Sequence, residues 1–336
     1  MTEMNMVQAI NSALDTMLTN DPNVLLFGED VGYFGGVFRT SDGLQEKHGA
    51  HRVFDTPLAE GGIAAIAFGM GLNGLRPVCE IQFADYIFPA YDQIVNEIAK
   101  LRHRSGGEFW TPVTIRTPAG GGIRGGHHHS QSPESQFTHT PGLKVVYAST
   151  PYNAKGLLIS AIESDDPVVV FEPKRCYRGP FYGDPHNVPT WSDHPEAEVP
   201  ESHYKIPLGE ARLAMEGDRC TVISWGAMVH VCEQAIKSSG VSCDLIDLQT
   251  LVPWDVEAVV KSVAKTGRCV IVHEAPKTSG FGAEMAASIQ ERCFWNLESP
   301  IERVTGWDTP FPHTTEWDYM PGPDRVIAAI VRTQED

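Results

Sequence analysis

Short runs of β-branched and other apolar residues alternate along the chain with longer segments in which apolar positions recur every three or four residues. The short runs predict buried strands, and the longer segments predict helices. In the first half the predicted strands are Val24–Phe27, Pro77–Phe83, Val113–Thr117, Lys144–Ala148 and Val168–Phe171, and the predicted helices are Met6–Leu18, Ile63–Asn73, Tyr91–His103 and Asn153–Glu163. This alternation is typical of an α/β fold with a mostly parallel sheet.

The alternation stops between Lys174 and Pro207, a stretch rich in proline, glycine, histidine and aspartate. It then resumes with the predicted strands Thr221–Ser224, Asp244–Asp247 and Cys269–His273, and with the predicted helices Val229–Lys237, Val256–Lys265, Gly282–Cys293 and Asp324–Val331. We therefore predict two α/β domains, residues 1–190 and 205–336, joined by a linker at 191–204.

The predicted helix Ile63–Asn73 has an unusual composition, IAAIAFGMGLN, with small residues on nearly every face. Each glycine in a helix interior costs roughly 1 kcal/mol relative to alanine. Close packing against other protein would compensate for this cost, so we expect the helix to lie at a domain or subunit interface.

Composition narrows the range of partners. The 336 residues are 42% hydrophobic, enough for two cores, and carry 26 Lys and Arg against 43 Asp and Glu, a net charge of −17. This balance argues against a nucleic-acid or anionic-membrane partner, and no apolar run reaches the 18 or so residues of a membrane helix.

Seven scattered cysteines without a Cys-x-x-Cys pair indicate buried thiols in a reducing compartment, and the N-terminal stretch lacks a signal-peptide pattern. We expect a cytoplasmic protein.

The segment Gly120–Gly125 formally satisfies the G-x-G-x-x-G pattern of dinucleotide sites. No apolar helix follows it, however, and no ribose-binding acid stands in a βαβ setting. We interpret it as a loop that passes close to a ligand or a partner. Other nucleotide and hydrolase signatures are absent from the sequence, as is a Gly-Asp-Gly segment with a downstream Asn, by which thiamine enzymes hold magnesium and diphosphate.

Three consecutive histidines, His127–His129, follow this loop. Neighbouring side chains in an extended segment point to opposite sides, so they rarely converge on one metal ion. The alternative is that one of them faces a cleft and transfers protons near neutral pH. The residue types alone do not decide which of the three it is.

Glu60 precedes two glycines and the small-residue helix. It is either part of a helix start capped by Thr56, with Pro57 in the first turn, or a poorly solvated carboxyl group with a raised pKa and a catalytic role. Phe83 and Tyr86 lie where a predicted strand ends, which is where α/β sheets bind ligands. Either ring could face an aromatic cofactor, and core packing is the alternative reading, more so for Phe83.

Five motifs together resemble the β subunits of the thiamine-dependent 2-oxo acid dehydrogenases. They are TPLAEGGIAAIAFGMGLNGLRPVCEIQFADYIFPAYDQIVNEIAKLR, HHHSQSPESQFTHTPGLKVV, IDLQTLVPWDVEAVVKSVAKTGR, HEAPKTSGFGAE and GWDTPFPH. The sequences EIQFADYIFPA and GWDTPFPH are most similar to those of the branched-chain members. The pyruvate or acetoin members are the nearest alternative. The resemblance implies a transketolase-like pyrimidine-binding domain followed by a transketolase C-terminal domain.

The resemblance also implies roles for single residues. Glu60 matches the family glutamate that contacts the aminopyrimidine ring of thiamine diphosphate, and His129 matches a histidine that assists proton transfer during acyl transfer. Tyr86 matches the aromatic residue stacked on the pyrimidine, and Leu58 and Gln82 match pocket neighbours. Some relatives bind a structural potassium ion, at positions that match Thr111, Val113, Thr114, Ala161, Ser164 and Asp166.

The same resemblance implies that the chain encodes half of an active site. Its partner would be an α subunit in an α2β2 heterotetramer, which would hold the diphosphate and magnesium. A lipoyl-bearing acyltransferase core would accept the acyl group from a small 2-oxo acid. The alternative is that the chain is not catalytic and serves only to dock the acyltransferase core. In that case activity would not depend on Glu60.

Overall fold

The computed structural model describes residues 1–178 and 195–335. Within these ranges the strands are β1 (Thr2–Asn5), β2 (Val24–Gly28), β3 (Val53–Asp55), β4 (Arg76–Glu80), β5 (Thr114–Ala119), β6 (Lys144–Tyr147), β7 (Val168–Pro173), β8 (Glu196–Val199), β9 (Arg212–Met215), β10 (Cys220–Ser224), β11 (Cys243–Asp247), β12 (Thr250–Val252), β13 (Cys269–Pro276) and β14 (Glu302–Gly306).

The α-helices of the described residues are α1 (Met6–Asn20), α2 (Leu44–His48), α3 (Glu60–Leu72), α4 (Leu101–Arg104), α5 (Glu134–Thr138), α6 (Pro151–Glu163), α7 (Arg175–Arg178), α8 (Met228–Ser239), α9 (Val256–Thr266), α10 (Phe281–Cys293), α11 (Glu316–Tyr319) and α12 (Pro323–Arg332). The described residues also contain three 3₁₀ turns, Ala84–Tyr86, Phe88–Ala90 and Gly126–His128, and one π-helical segment, Gln93–Ile98.

The larger sheet has the strand order β12-β6-β7-β5-β4-β2-β3, and all its neighbours are parallel except β12 and β6. Its strands are apolar on both faces because both faces are covered. Leu26 and Val78 belong to the same core cluster as α1 and α6, whereas Phe27 and Cys79 belong to the cluster that includes α3. The expected mostly parallel α/β architecture is confirmed.

The smaller sheet has the order β14-β13-β10-β11-β9, with only β9 antiparallel to its neighbour. Apolar side chains of α8 and α12 join one core cluster, and those of α9 and α10 join the other. Each helix buries one apolar face, because its apolar residues recur every three or four positions.

The two halves share structure at the edge of the larger sheet. β12 follows β11 in the chain but pairs with β6 of the first half, where Thr250 is the partner of Val146. In addition β8 pairs with β1. The predicted boundary at residue 190 and the first linker residues, up to 194, lie outside the described residues, so the domain limits stay a prediction.

Several elements differ from the sequence-based expectation. The predicted helix Tyr91–His103 is wrong as one helix, because its middle is a π-helical segment and a break at Lys100 precedes α4. There the amide of Ala99 donates to the carbonyl of Ile94, five residues earlier. The irregular stretch that we predicted from Lys174 contains α7 and β8. In the described part of the chain no helix is both long and apolar enough to cross a bilayer.

Candidate active site

Helix α3 begins at Glu60, three residues before the predicted start. The capping interpretation of Thr56 is wrong, because the N-cap residue is Ala59 and no side chain caps this helix. A carboxylate in the first turn interacts favourably with the unpaired amides of a helix N-terminus. The turn is fixed in place by close packing, since a Cβ atom at Gly61 would lie 3.0 Å from the carbonyl oxygen of Pro89. Glu60 is therefore held, half-buried, at a defined position.

Glu29 is a second carboxyl group beside Glu60, and sequence reasoning missed it. It directly follows β2 and is only 3% exposed, and its Oε1 atom has no hydrogen-bond partner among residues 1–178 and 195–335. Burial, and next the nearby charge of Glu60, raise its pKa to about 7. The only signal in the sequence was its place at the carboxyl end of a buried parallel strand, where α/β sheets bind ligands.

Gln82 and Leu58 lie close in the chain to elements that carry these carboxyl groups. The amide of Gln82 donates to Asp30 at 3.4 Å, which links the segment after β4 to the loop after β2. Leu58 stands two residues before Glu60, and its side chain is 81% exposed. It is therefore accessible to a ligand or another chain.

Tyr86 and His129 are in direct contact. The phenol oxygen of Tyr86 and Nε2 of His129 are 2.9 Å apart, and the ring of Phe83 packs edge-on against both rings, with centroids 4.7 Å from His129 and 5.8 Å from Tyr86. Of the three consecutive histidines, His129 is the one held in this way; the rings of His127 and His128 lie against each other, with their centroids 4.0 Å apart. Geometry thus separates His129 from its neighbours.

A buried carboxylate fixes the loop that carries His129. Oδ1 of Asp85 accepts hydrogen bonds from the backbone amides of Ser130 at 3.1 Å and of Gln131 at 3.0 Å. The ammonium group of Lys174 lies 5.6 Å from the centroid of the Phe83 ring, and burial lowers its pKa to about 8. Neither Asp85 nor Lys174 was singled out in the sequence, because nothing local marks a long-range contact.

A buried ion network ties together the central strands beneath the site. The guanidinium group of Arg116 on β5 donates to Glu80 on β4 and to both carboxylate oxygens of Glu172 on β7, the latter at 2.8 and 2.6 Å. Tyr177 donates to Glu172 at 2.6 Å. Burial alone would lower the pKa of Arg116, but the two carboxylates outweigh it and raise the pKa. The network fixes the carboxyl ends of three strands at once.

The glycine-rich loop contacts the second half of its own chain. The amide of Gly121 donates to Glu274 at 3.0 Å, and the amides of Gly122 and Arg124 donate to Glu316, each at 2.9 Å. A Cβ atom at Gly121 would lie 2.6 Å from the sulfur of Met320. The loop therefore does pass close to a partner, which is the other domain. Its amides already serve two carboxylates and are not arranged to cradle a phosphate group.

A cleft of about 610 Å³ opens between the two halves on the far side of the histidine run. His127, His128 and Gln131 line it from the first half, and Thr278 and Phe311 from the second. Leu58, Glu60, Gln82 and Tyr86 do not line the cleft, whereas His128 and Ser130, the chain neighbours of His129, do.

Two of the residues matched to a potassium site are in contact with cationic side chains. Lys144 is 3.3 Å from the carboxylate of Asp166, which also pairs with Arg102. The guanidinium group of Arg76 donates to the carbonyl of Ser164 at 3.2 Å. Cationic side chains thus contact two members of the matched set, and a potassium ion at this place stays a prediction. The set in question is Thr111, Val113, Thr114, Ala161, Ser164 and Asp166.

Comparison with protein families shows two matches that together span most of the chain. Residues 2–180 match the family described as transketolase, pyrimidine binding domain. Residues 209–326 match the family described as transketolase, C-terminal domain. The two α/β halves thus correspond in order to the two domains that the motifs implied.

Curated relatives are similar to the chain over nearly its full length. The 2-oxoisovalerate dehydrogenase subunit beta of Pseudomonas aeruginosa is 56% identical over 336 residues, covering 99% of this chain and 96% of the relative. The mitochondrial 2-oxoisovalerate dehydrogenase subunit beta of Dictyostelium discoideum is 54% identical, covering 98% and 86%. The pyruvate dehydrogenase E1 component subunit beta of Bacillus subtilis is 47% identical, covering all of both chains.

Among solved structures the fold resembles a split-gene transketolase, described as an inactive beta4 tetramer. The TM-score is 0.75, with 19% sequence identity and 98% coverage of both chains. At that identity the likeness concerns the fold alone, and it agrees with the two family matches.

Proposed function

The chain belongs to the transketolase-like β subunits of the 2-oxo acid dehydrogenases, and from that membership we propose that it supplies half of an active site that decarboxylates branched-chain 2-oxo acids. In this proposal the acyl group passes to the lipoyl group of an acyltransferase core. The observation that supports the proposal is that Glu60, Tyr86 and His129 follow the parallel strands β3, β4 and β5 of the larger sheet, that Glu60 neighbours the buried carboxyl group of Glu29, and that Tyr86 bonds His129.

The residues present fit the pyrimidine half of thiamine diphosphate. Glu60 would contact the aminopyrimidine, which offers hydrogen-bond donors and acceptors, and Tyr86 would face the ring. Gln82 and the exposed Leu58 would line the edge of the pocket. The orphaned Oε1 of Glu29 is a further buried acceptor next to Glu60. When bound, the cofactor supplies the electron sink that decarboxylation requires, and the protein supplies orientation and electrostatics.

The chain's own residues handle protons in two places. Glu60 would exchange a proton between its carboxyl group and the bound ring, and it lies beside Glu29, whose pKa burial raises to about 7. His129 would move a proton at Nδ1 or Nε2 during acyl transfer. The contact with Tyr86 fixes the ring orientation, and the hydrogen bonds from the loop to Asp85 keep that loop in place.

We further propose that the diphosphate, the magnesium ion and the rest of the pocket come from an α subunit in an α2β2 assembly. Two features of this chain support that division. The glycine-rich loop is occupied by Glu274 and Glu316. One face of α3 is buried, whereas its opposite face exposes Ile66 and Leu72, at 48% and 40%. A cytoplasmic location stays a prediction.

Pyruvate is the second candidate substrate. It is favoured by the 47% identity to the Bacillus subtilis pyruvate dehydrogenase subunit, although the 2-oxoisovalerate dehydrogenase relatives are more similar. The proposed roles of Glu60, Tyr86 and His129 are the same for either acid.

Replacement of Glu60 by glutamine tests the catalytic role. Glu60→Gln keeps the size and hydrogen-bonding capacity of the side chain but removes its titratable proton. We expect turnover of the assembled enzyme to fall by about 100-fold or more, in line with the loss of general acid–base catalysis. Steady-state rates of carbon dioxide release measure the effect, and size-exclusion chromatography with light scattering checks assembly.

Glu46→Gln, the same substitution at an exposed position on α2, is the matched control and should leave the rate unchanged. A Glu60→Gln enzyme that assembles and retains full turnover would support the docking role instead. A variant that fails to assemble is replaced by Glu60→Asp, which keeps the carboxyl group on a shorter side chain, so a smaller loss of turnover in an assembled enzyme is expected.

A further inference from the structure

Two cysteines face each other at the start of adjacent strands in the smaller sheet. Cys220 opens β10 and Cys243 opens β11, and the two residues are direct partners in the parallel register. Adjacent strands lie about 4.8 Å apart, which is within the range of roughly 4.4–6.8 Å between Cα atoms that a disulfide requires. The thiol of Cys220 donates to the carbonyl of Thr221 at 3.7 Å and that of Cys243 to the carbonyl of Val241 at 3.4 Å, and each thiol influences the pKa of the other.

The surroundings of Cys220 favour its thiolate. The neighbouring thiol of Cys243, together with the hydroxyl of Thr333 and the charge of Arg268, lowers its pKa against the effect of burial, and the same pairing with burial raises the pKa of Cys243. The hydroxyl of Thr333 lies 3.8 Å from the sulfur. By contrast, burial raises the pKa of Cys79 and of Cys232 to about 12. Because the thiolate is the reactive form, Cys220 is set apart from those buried thiols.

The pair lies at the amino-terminal ends of two interior strands of the smaller sheet. Cys220 and Cys243 are 0% and 1% exposed, but Arg219 and Ser242, which precede them, are exposed. Local opening of part of a structure can cost less free energy than global unfolding. A small oxidant therefore needs only local fraying of the first residues of β10 and β11 to reach the sulfur atoms.

We propose that Cys220 and Cys243 are a reversible oxidation site that forms an intrachain disulfide when the protein meets hydrogen peroxide. The Cys220 thiolate attacks one peroxide oxygen, the O–O bond breaks, and the hydroxide that leaves takes a proton to become water. The sulfur of Cys243 then attacks the sulfenic sulfur of Cys220, the S–O bond breaks, and a second water leaves with the thiol proton. Two thiols are oxidised by two electrons, and the peroxide is reduced to two waters.

Peptide mapping after graded oxidation tests the site in the full-length chain. The protein is treated with hydrogen peroxide, remaining thiols are alkylated in denaturant, and the digest is analysed by mass spectrometry with and without dithiothreitol. We expect a peptide pair joined through Cys220 and Cys243 to appear at the lowest effective dose and to vanish on reduction. Cys243→Ser should abolish the joined peptides and leave Cys220 as a sulfenic acid that dimedone traps.

Cys293→Ser, which removes a buried cysteine of α10, is the matched control and should leave the joined peptides unchanged. The proposal is overturned if Cys220 stays alkylatable at doses that oxidise other cysteines of the chain. It is equally overturned if Cys220 couples to a different cysteine, or if Cys243→Ser yields no trapped sulfenic acid.

Discussion

Four carboxyl groups lie close enough to interact near the carboxyl ends of strands in the larger sheet. Glu29 and Asp30 follow β2, Glu80 ends β4, and Glu60 begins α3. Burial first, and then the charges of Glu60, Asp30 and Glu80, raise the pKa of Glu29. Glu80 is paired with Arg116. Glu29 instead avoids an unpaired buried charge by keeping its proton up to about pH 7.

This raised pKa predicts a pH-dependent effect of Glu29→Gln on stability. Between an ordinary pKa of 4.5 and a folded pKa of about 7, the unfolded chain ionises Glu29 while the folded chain retains the proton. The favourable contribution of the native group is therefore complete below pH 4.5 and is lost as the pH rises through 7. Glutamine does not titrate, so the variant should gain stability relative to the parent across this window.

Urea unfolding of parent and variant at several pH values between about 4.5 and 8 measures this difference. Glu46→Gln, at an exposed position, should give a difference that does not change with pH. An offset for Glu29→Gln that is equally independent of pH would show that Glu29 is not protonated in the native protein.

At the scale of single residues, candidate site residues could be predicted from the sequence where they lie within long motifs. Glu60, Tyr86 and His129 could be selected because extended resemblance surrounds each of them. Asp85 and Glu29 could not, since their roles depend on contacts with Ser130 and Glu60, which are distant along the chain. The identities of the matched residues stay predictions until variants are measured.

At the scale of elements, the buried network of Arg116 joins β4, β5 and β7. Removing only the cation would leave two carboxyl groups buried without it. We expect Arg116→Met to lower the free energy of unfolding by about 3–5 kcal/mol, as for a broken buried ion pair. Denaturant unfolding of the full chain measures the loss.

Arg102→Met is the matched control, because Arg102 also pairs with a carboxylate but is exposed to solvent. It should shift the unfolding midpoint very little, since exposed ion pairs contribute little to stability. Equal effects of the two substitutions would mean that the network at Arg116 is not a structural link between the strands.

Elements were predictable where they are long and periodic. Helices such as α1, α6 and α9 agree with prediction to within two residues at each end. Short or edge strands, such as β3, β9 and β12, were missed because three or four residues carry too weak a pattern. The pairing of β12 with β6 depends on contact between the two halves, which periodicity does not encode.

At the scale of the whole molecule, the cofactor candidates and the phosphate-binding function are separated. We propose residues of this chain for the pyrimidine ring, whereas amides of its glycine-rich loop bind Glu274 and Glu316. We therefore expect the purified single chain to bind thiamine diphosphate negligibly, even with magnesium. Isothermal titration calorimetry measures this, and tight magnesium-dependent binding by the chain alone would refute the proposed division between subunits.

The central claim is tested most directly by turnover of the chain coexpressed with its α partner. Thiamine diphosphate and magnesium are supplied, and carbon dioxide release is measured with 2-oxoisovalerate, 2-oxoisocaproate, 2-oxo-3-methylvalerate, 2-oxobutyrate and pyruvate. The account predicts the highest kcat/KM for the branched acids. A preference for pyruvate would contradict the proposed substrate, and an assembled complex that decarboxylates none of the five acids would contradict the proposed function.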